Sequence, residues 1–261
     1  MPLTLISQLD HLHTGTVGSL LLVGVLFGLI NTLSGGGSIL TLPALMMLGL
    51  DPHSANATNR VGGVLQTLSA AIGFWKRGAF EDQSVRFLLG YAMIGGTLGP
   101  WVSLQLDQST MVIVIQSCLL TIALFTILAP KRMFQDPSPA PKSLIVQHCA
   151  AFVVSFYGGF LQAGIGLVSL YLLRFICGYD LVRGTAIKSL YLCVLTLPTL
   201  VVFIWFGQVR WIYGLILAFG SIIGAHFGVR VSLSPKGNEM IRAALPFTAI
   251  LMIMSLILRS Q

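Results

Sequence analysis

Charged side chains are scarce in this sequence. Asp, Glu, Lys and Arg together make up 9% of its 261 residues, whereas hydrophobic residues make up 55%. A soluble globule of this length needs more polar surface than that, so the composition predicts that lipid is the main solvent. The apolar residues also form long continuous blocks, several of which reach the ~20 residues that a helix needs to cross a bilayer. Strands of a membrane β-barrel would instead alternate polar and apolar residues.

Acidic residues and catalytic motifs are missing from the apolar blocks. None of the eight Asp and Glu residues lies well inside a block, which argues against a relay of carboxylates that carries protons. No paired carboxylates, H-E-x-x-H or G-x-S-x-G motif is present, so we expect no enzyme activity. The four cysteines stand singly without C-x-x-C spacing, and we expect neither a metal site nor a cofactor.

The basic residues are scattered rather than clustered. The net charge is +7, yet no basic stripe with interleaved aromatic residues is present, so we expect no nucleic-acid partner. A signal that sets membrane topology explains the basic residues better. Residues 1–16 contain no Lys or Arg, and we therefore expect the first apolar block to stay in the membrane and not to be a cleaved signal peptide.

The two halves of the chain repeat one another at a constant offset of 129 positions. Glycines and an aspartate held in one register over such a length are hard to obtain from apolar composition alone. We therefore predict an N-terminal membrane repeat over 1–130, a cytoplasmic linker over 131–143 and a C-terminal membrane repeat over 144–261. The matched pairs include Gly35 with Gly164, Gly37 with Gly166, Gly49 with Gly178, Asp51 with Asp180, Gly78 with Gly207 and Gly95 with Gly224.

Glycines interrupt the first apolar block of each half, as SGGGS at 34–38 and as AGIG at 163–166. An unbroken helix over 17–49 would be about 50 Å long at ~1.5 Å per residue, which exceeds what a bilayer requires. We therefore predict a break in both blocks, and the piece that follows the first break spans only half a membrane. Asp51 and Asp180 each follow such a piece and are predicted to cap the next helix.

The basic residues favour one way of threading these blocks. If each broken block turns back as a hairpin, almost all basic residues fall on one face, whereas single crossings divide them more evenly. The predicted fold is an all-α integral membrane protein with two homologous repeats of inverted topology. Each repeat contains a glycine-broken helix or re-entrant hairpin and three further transmembrane helices.

Broken half-helices in inverted repeats are typical of secondary transporters, whose substrates bind near the midplane. The N–H groups and the positive dipole end of a half-helix suit an anion, and glycine lets a ligand approach the backbone. Close helix packing is the alternative explanation for these glycines.

Each half-helix is followed by a polar cluster that contains a cation, NATNR at 56–60 and TAIKS at 185–189. No acid stands nearby in sequence to neutralise Arg60 or Lys188, so an anion could complete the site. Snorkelling to an interface, or pairing with helix C-termini, is the alternative. His226 is a candidate for proton coupling, against the alternative of a packed neutral side chain. The candidate substrate-binding residues are Ser34, Gly35, Gly36, Gly37, Ser38, Asn56, Thr58, Asn59, Arg60, Gln162, Gly164, Gly166, Thr185, Lys188 and Ser189.

The sequence resembles the TauE/SafE sulfite exporters, also called the 4-toluene sulfonate uptake permease family. The resemblance rests on GLINTLSGGGSILTLPALMMLGLDPHSANATN, on its echo GFLQAGIGLVSLYLLRFICGYDLVRGTAIKS, and on the later IGGTLG and IIGAHFG pieces. It implies a carrier in a bacterial-type inner membrane for sulfite, thiosulfate, sulfoacetate or related organosulfur anions. This sequence departs from two identical halves at two places. Ile165 interrupts the second glycine run, and Asn59-Arg60 in the first half aligns with Lys188-Ser189 in the second.

The function that we predict is therefore secondary transport, with export as the direction, of small sulfur-containing anions across a cytoplasmic membrane. The alternatives are a passive anion channel and a non-catalytic membrane subunit of sulfur metabolism. The expected partners are a small anionic substrate and the lipid bilayer, and a homodimer is left open as an alternative to a monomer.

Overall fold

The computed structural model describes residues 14–80, 85–128, 140–244 and 247. Within these ranges the ordered elements are helices, and no strand occurs. A further helical stretch covers residues 237–244. The helices are α1 (Thr14–Leu33), α2 (Ser38–Met47), α3 (Pro52–Trp75), α4 (Arg86–Ser103), α5 (Gln108–Leu128), α6 (Leu144–Phe160), α7 (Ile165–Tyr171), which continues as a π-helical turn (Leu172–Ile176), α8 (Leu181–Trp205) and α9 (Trp211–Ser232).

Four helices in the described ranges are long and apolar enough to cross a membrane. They are α1, α8, α9 and the Gln108–Phe125 part of α5. The all-α membrane fold is therefore confirmed. Most of the predicted linker, residues 131–139, lies outside the described residues.

Both predicted helix caps are confirmed. The Asp51 carboxylate accepts hydrogen bonds from the backbone N–H groups of His53 and Ser54, each at 3.0 Å, and Pro52 follows as the first residue of α3. Asp180 accepts one at 2.9 Å from the N–H group of Arg183. Such caps supply acceptors for N–H groups that have no partner inside the helix, which fixes where α3 and α8 begin.

The first glycine break is confirmed and turns the chain back on itself. Helix α1 packs parallel to α9, because Gly24 lies against Gly220 and Thr32 lies against Gly228. After the break, Gly37 lies beside Phe27 of α1, so α2 starts back along the helix that preceded it. We call α1, α2 and the 34–37 turn between them the first hairpin.

The beginning of α3 identifies the end of the bundle to which the first hairpin returns. The Thr58 hydroxyl accepts a hydrogen bond at 3.0 Å from the backbone N–H of Arg210, which stands just before α9. Helices α3 and α9 thus begin at the same end of the bundle, and because α1 runs parallel to α9, α1 begins there as well. The first hairpin therefore enters and leaves at one end.

The second glycine break produces a similar reversal from the other end. Helix α6 packs parallel to α4, with His148 against Phe87 near their beginnings and Gly159 against Gly95 farther along. The N–H group of Lys142 donates a hydrogen bond at 2.8 Å to the carbonyl of Ile176, which joins the two arms of this reversal. We call α6, α7 with its π-helical turn, and the 161–164 segment between them the second hairpin.

Helices α3 and α8 pack antiparallel in the middle of the bundle. The beginning of α3 meets the end of α8, where Ala57 clusters with Phe203, and the end of α3 meets the beginning of α8, where Phe74 clusters with Ala186. Every glycine with positive φ in the described ranges has a partner 129 positions away: Gly35 with Gly164, Gly49 with Gly178, and Gly78 with Gly207.

Basic side chains gather at the end of the bundle where α3 ends. Arg77 and Arg183 line one cavity of about 210 Å³ there. Arg210 lies at the opposite end, where its backbone N–H donates to Thr58. The side chain of Arg174, unlike these exposed cations, is fully buried. The exposed basic residues at the α3 end are Lys76, Arg77, Arg86, Lys142, Arg183, Arg230 and Lys236.

Candidate functional site at the junction of the two hairpins

The two glycine turns touch each other inside the bundle. A Cβ atom added to Gly35 would overlap the backbone of Gly166, and one added to Gly166 would overlap the backbone of Gly35. The Ser38 hydroxyl also donates a hydrogen bond at 2.8 Å to the carbonyl of Gln162. The breaks at 34–38 and 163–166 were predicted separately, and the structure brings them into one junction.

Helix α3 presents one stripe of residues to the second hairpin. The Asn56 side chain donates to the carbonyl of Phe160 at 3.1 Å and accepts from the N–H of Gln162 at 3.2 Å. Two turns later, Gly63 leaves room for the Gln162 side chain, whose amide would collide with any Cβ at that position. Asn59 stands between them at helical spacing and therefore shares this stripe.

Arg60 binds the C-terminal end of α6. Its guanidinium donates to the carbonyls of Gly158 at 2.6 Å and Gly159 at 3.1 Å, and it lies 5.9 Å from the centre of the Phe203 ring. The side chain is fully buried. The last carbonyls of a helix lack partners inside the helix and carry partial negative charge, so they suit a guanidinium that has no carboxylate nearby.

Lys188 makes the corresponding contact in the first hairpin. Its ammonium group donates to the carbonyls of Asn31 at 3.0 Å and Thr32 at 3.1 Å, at the C-terminal end of α1. Each cation therefore caps the hairpin of the other half of the chain. Pairing with helix C-termini, one of the two explanations considered for these cations, accounts for their hydrogen bonds. Direct contact with an anion remains a prediction.

Several buried polar atoms near these cations have no hydrogen-bond partner within the described residues. They are both amide atoms of Asn59, Nε of Arg60, Oε1 of Gln162 and the Thr185 hydroxyl. An unsatisfied buried donor or acceptor costs about 1–3 kcal/mol, so such atoms usually mark a place where water or a ligand belongs. All four residues belong to the predicted substrate-binding set.

Other members of that set have their polar groups engaged elsewhere. The Thr58 hydroxyl accepts from the backbone N–H just before α9. The Ser34 hydroxyl donates to the Ile30 carbonyl of α1, and the Ser189 hydroxyl donates to the Thr185 carbonyl of its own helix. His226, the candidate for proton coupling, has an exposed side chain on the outer surface of α9. The structure does not bring His226 to the junction. The sequence did not indicate this, because lipid-facing and protein-facing positions of an apolar helix look alike in sequence.

A hydrogen-bonded chain beside Lys188 was not part of the predicted site. The Asn31 amide donates to Oε1 of Gln66 at 2.6 Å, and the Gln66 amide donates to the Thr32 hydroxyl at 2.9 Å. These bonds hold α1 to α3 just where Lys188 binds the α1 carbonyls. Tyr157, whose hydroxyl donates to the carbonyl of Ala163 in the second turn, was also missed. Its repeat counterpart is Gly28, so the duplication gave no signal for it.

Similarity to known proteins covers both hairpins. The family profile described as "Sulfite exporter TauE/SafE" matches residues 20–256. The chain belongs to the TauE/SafE family. "Probable membrane transporter protein YfcA" of Escherichia coli K12 is 31% identical over 228 residues, which cover 87% of this chain and 84% of that relative.

Two further relatives have the same general description. "Probable membrane transporter protein" of Haemophilus influenzae is 27% identical over 84% of this chain and 86% of its own length. "Probable membrane transporter protein ORF9" of a Sinorhizobium species is 26% identical over 85% of each. The TauE/SafE match includes both glycine turns, Arg60 and Lys188, so the whole junction lies within the part of the chain that the family shares.

Proposed function

We propose that this TauE/SafE protein is a secondary transporter in the cytoplasmic membrane that exports small sulfur-containing anions such as sulfite, sulfoacetate, thiosulfate or other organosulfonates. The observation that carries the proposal is a set of buried polar atoms on Asn59, Arg60, Gln162 and Thr185, beside two touching glycine turns, that have no partner among the residues the structure describes. The family description and the names of the relatives, each a probable membrane transporter, support the same class of function.

The anion is proposed to bind between the N-terminal ends of α2 and α7. The first N–H groups of a helix have no partner inside it, and the positive dipole end stabilises negative charge. Gly37 directly precedes α2 and Gly166 lies in the first turn of α7. Neither glycine has a side chain that would keep a ligand from the backbone N–H groups. The amide of Asn59, Nε of Arg60 and the Thr185 hydroxyl supply further donors to the oxygens of a sulfite or sulfonate head.

The two cations contribute to this site through charge even where their hydrogen bonds go to carbonyls. Arg60 and Lys188 offset the partial negative charge at the C-terminal ends of α6 and α1, which lie next to the N-terminal ends of α7 and α2. The junction is thereby left with a surplus of positive charge. In a medium of low dielectric constant such a surplus favours an anion over a neutral solute.

The two halves are proposed to be inverted repeats that move against each other. The antiparallel packing of α3 on α8, the hairpins that enter from opposite ends, and the three pairs of positive-φ glycines support this arrangement. A site at the interface of inverted repeats is suited to alternating access. A passive anion channel is the second candidate, but the direct contact of Gly35 with Gly166 favours a carrier over an open pore.

Ligand stabilisation of the purified protein tests the proposed substrate class. Thermal unfolding would be followed with sulfite, sulfate, thiosulfate, sulfoacetate, isethionate and taurine. A ligand at one hundred times its dissociation constant adds about 2.7 kcal/mol to the free energy of unfolding. We expect at least one sulfur anion to do so, and Asn59→Ala to abolish the gain.

Thr67→Val is the control, because Thr67 is a buried polar residue of the same helix, two turns beyond Asn59, whose hydroxyl donates to the carbonyls of Gly63 and Val64. It should leave the ligand-induced gain unchanged. Absence of stabilisation by every one of these solutes in the wild-type protein would contradict the proposed substrate class.

A further inference from the structure

A groove of about 570 Å³ lies on the outside of the bundle between α3 and α9. Its walls are apolar, and the side chains of Leu68, Ile72 and Ile222 are 42%, 42% and 37% exposed. Gly73 also lines the groove. The groove is separate from the junction of the hairpins, which lies inside the bundle.

Two cations, Lys76 and Arg77, line the groove near the end of the bundle where α3 ends and the exposed basic residues gather. The ammonium group of Lys76 makes no hydrogen bond or salt bridge to any residue that the structure describes. The guanidinium of Arg77 donates one hydrogen bond, at 3.2 Å, to the carbonyl of Gly73, and it has no carboxylate partner in the same ranges. His226 lines the groove from α9, one helical turn before Arg230. Two cations that have no acidic partner within the described residues therefore stand where the membrane surface and the apolar groove meet.

The length of the groove matches one leaflet of a bilayer. Leu65 and Lys76 both line it and are eleven residues apart on α3, a rise of about 16 Å at ~1.5 Å per residue. Half of a hydrocarbon core is about 15 Å thick. A ligand that fills this groove has an acidic head at Lys76 and Arg77 and a hydrocarbon chain that extends toward Leu65.

We propose that this groove is a binding site for an anionic phospholipid. The phosphate pairs with Lys76 and Arg77, His226 lies at the depth of the ester groups, and one acyl chain packs along Leu68, Ile72 and Ile222. Basic pockets between transmembrane helices on the cytoplasmic side bind acidic lipid head groups in the same way. A free anion would gain nothing from the apolar walls, so charge and shape together favour a lipid.

Thermal unfolding of the purified full chain in detergent, titrated with phosphatidylglycerol, tests this site. We expect phosphatidylglycerol to stabilise the wild-type protein and phosphatidylcholine to have little effect. Each cation near an acidic lipid surface contributes about fivefold in affinity, so the double variant K76Q/R77Q should bind about 25-fold more weakly. The double variant R86Q/K142Q removes the same charge from exposed residues of the same face that do not line the groove, and it should respond as the wild type does.

Native mass spectrometry of the wild-type protein and of both double variants, with retained lipids counted, gives a second readout that does not depend on folding stability. The proposal is overturned if both double variants lose the response equally, since general surface charge then explains it. It is also overturned if inorganic phosphate stabilises the wild type as well as phosphatidylglycerol does and K76Q/R77Q loses that stabilisation, because the groove then recognises a free anion. Phosphate bound at the junction would stabilise K76Q/R77Q and the wild type alike, so the two sites are distinguished.

Discussion

Alanine substitutions at three glycines separate the contact between the hairpins from simple backbone strain. Gly49 has φ of 88° and open space around the position of a Cβ, so Gly49→Ala adds only the cost of a left-handed conformation. That cost is about 1–2 kcal/mol. Gly166 has no left-handed φ but lies against the backbone of Gly35, so Gly166→Ala adds only the collision.

The collision should be the more damaging of the two effects. Overpacking inside a well-packed core costs about 1–3 kcal/mol, and a clash between two backbones cannot be relieved by a change of rotamer. Gly35 combines both features, with φ of 92° and the same contact, so Gly35→Ala should lose about 2–5 kcal/mol if the two costs add.

The assay is the midpoint of thermal unfolding in detergent, together with anion flux per folded protein in liposomes. We expect Gly49→Ala to lose the least stability, Gly166→Ala to lose more, and Gly35→Ala to lose the most. Flux per folded protein should fall for Gly166→Ala and Gly35→Ala but not for Gly49→Ala. Equal stability losses for Gly35→Ala and Gly49→Ala, with none for Gly166→Ala, would refute the contact between the turns.

Three further predictions follow from the helix ends. Lys188→Met and Arg60→Met each leave two buried carbonyls without a donor, which costs about 1–3 kcal/mol per carbonyl and is partly offset by the loss of a buried charge. Both variants should unfold at a lower temperature and bind the anion more weakly. Wild-type affinity in both variants would show that the cations only hold helices together. Asp51→Ala removes the cap of α3 and should cost about 1 kcal/mol in chemical denaturation, so an unchanged free energy of unfolding would argue against the cap. Lys76→Cys and Trp205→Cys, exposed residues 129 positions apart, should react with impermeant thiol reagents from opposite faces of the membrane, and labelling from one face would favour parallel repeats.

Local signals in the sequence were sufficient for the helix ends and the glycine breaks. Asp51 and Asp180 cap helices through contacts with residues two or three positions away, which are visible in any short window. The breaks at 34–38 and 163–166 were predictable because a single helix would have been too long for a bilayer. The gathering of basic residues at one end follows from a rule about loops that requires no knowledge of packing.

Partners that are distant in the chain were beyond prediction. Lys188 binds carbonyls of Asn31 and Thr32, more than 150 positions away, and the sequence gives the charge without its acceptors. Carbonyl acceptors are present in every residue, so no residue type marks them. Because no acid stands near Arg60 or Lys188 in sequence, the sequence favoured an external anion as their partner. In the structure, the C-terminal ends of α6 and α1 supply acceptors for both cations.

The outward position of His226 shows a limit that is particular to membrane proteins. In water, an amphipathic pattern tells which face of a helix is buried. In lipid both faces of α9 are apolar, so His226 and its buried neighbour Ala225 occupy similar sequence surroundings although only one points outward.

Flux of sulfite from liposomes that contain the purified protein tests directly whether this protein transports sulfur anions. We expect saturable efflux that other small sulfur anions inhibit, that Asn59→Ala abolishes, and that Thr67→Val leaves intact. Efflux no faster than from protein-free liposomes, for sulfite and for each of the other sulfur anions, would contradict it.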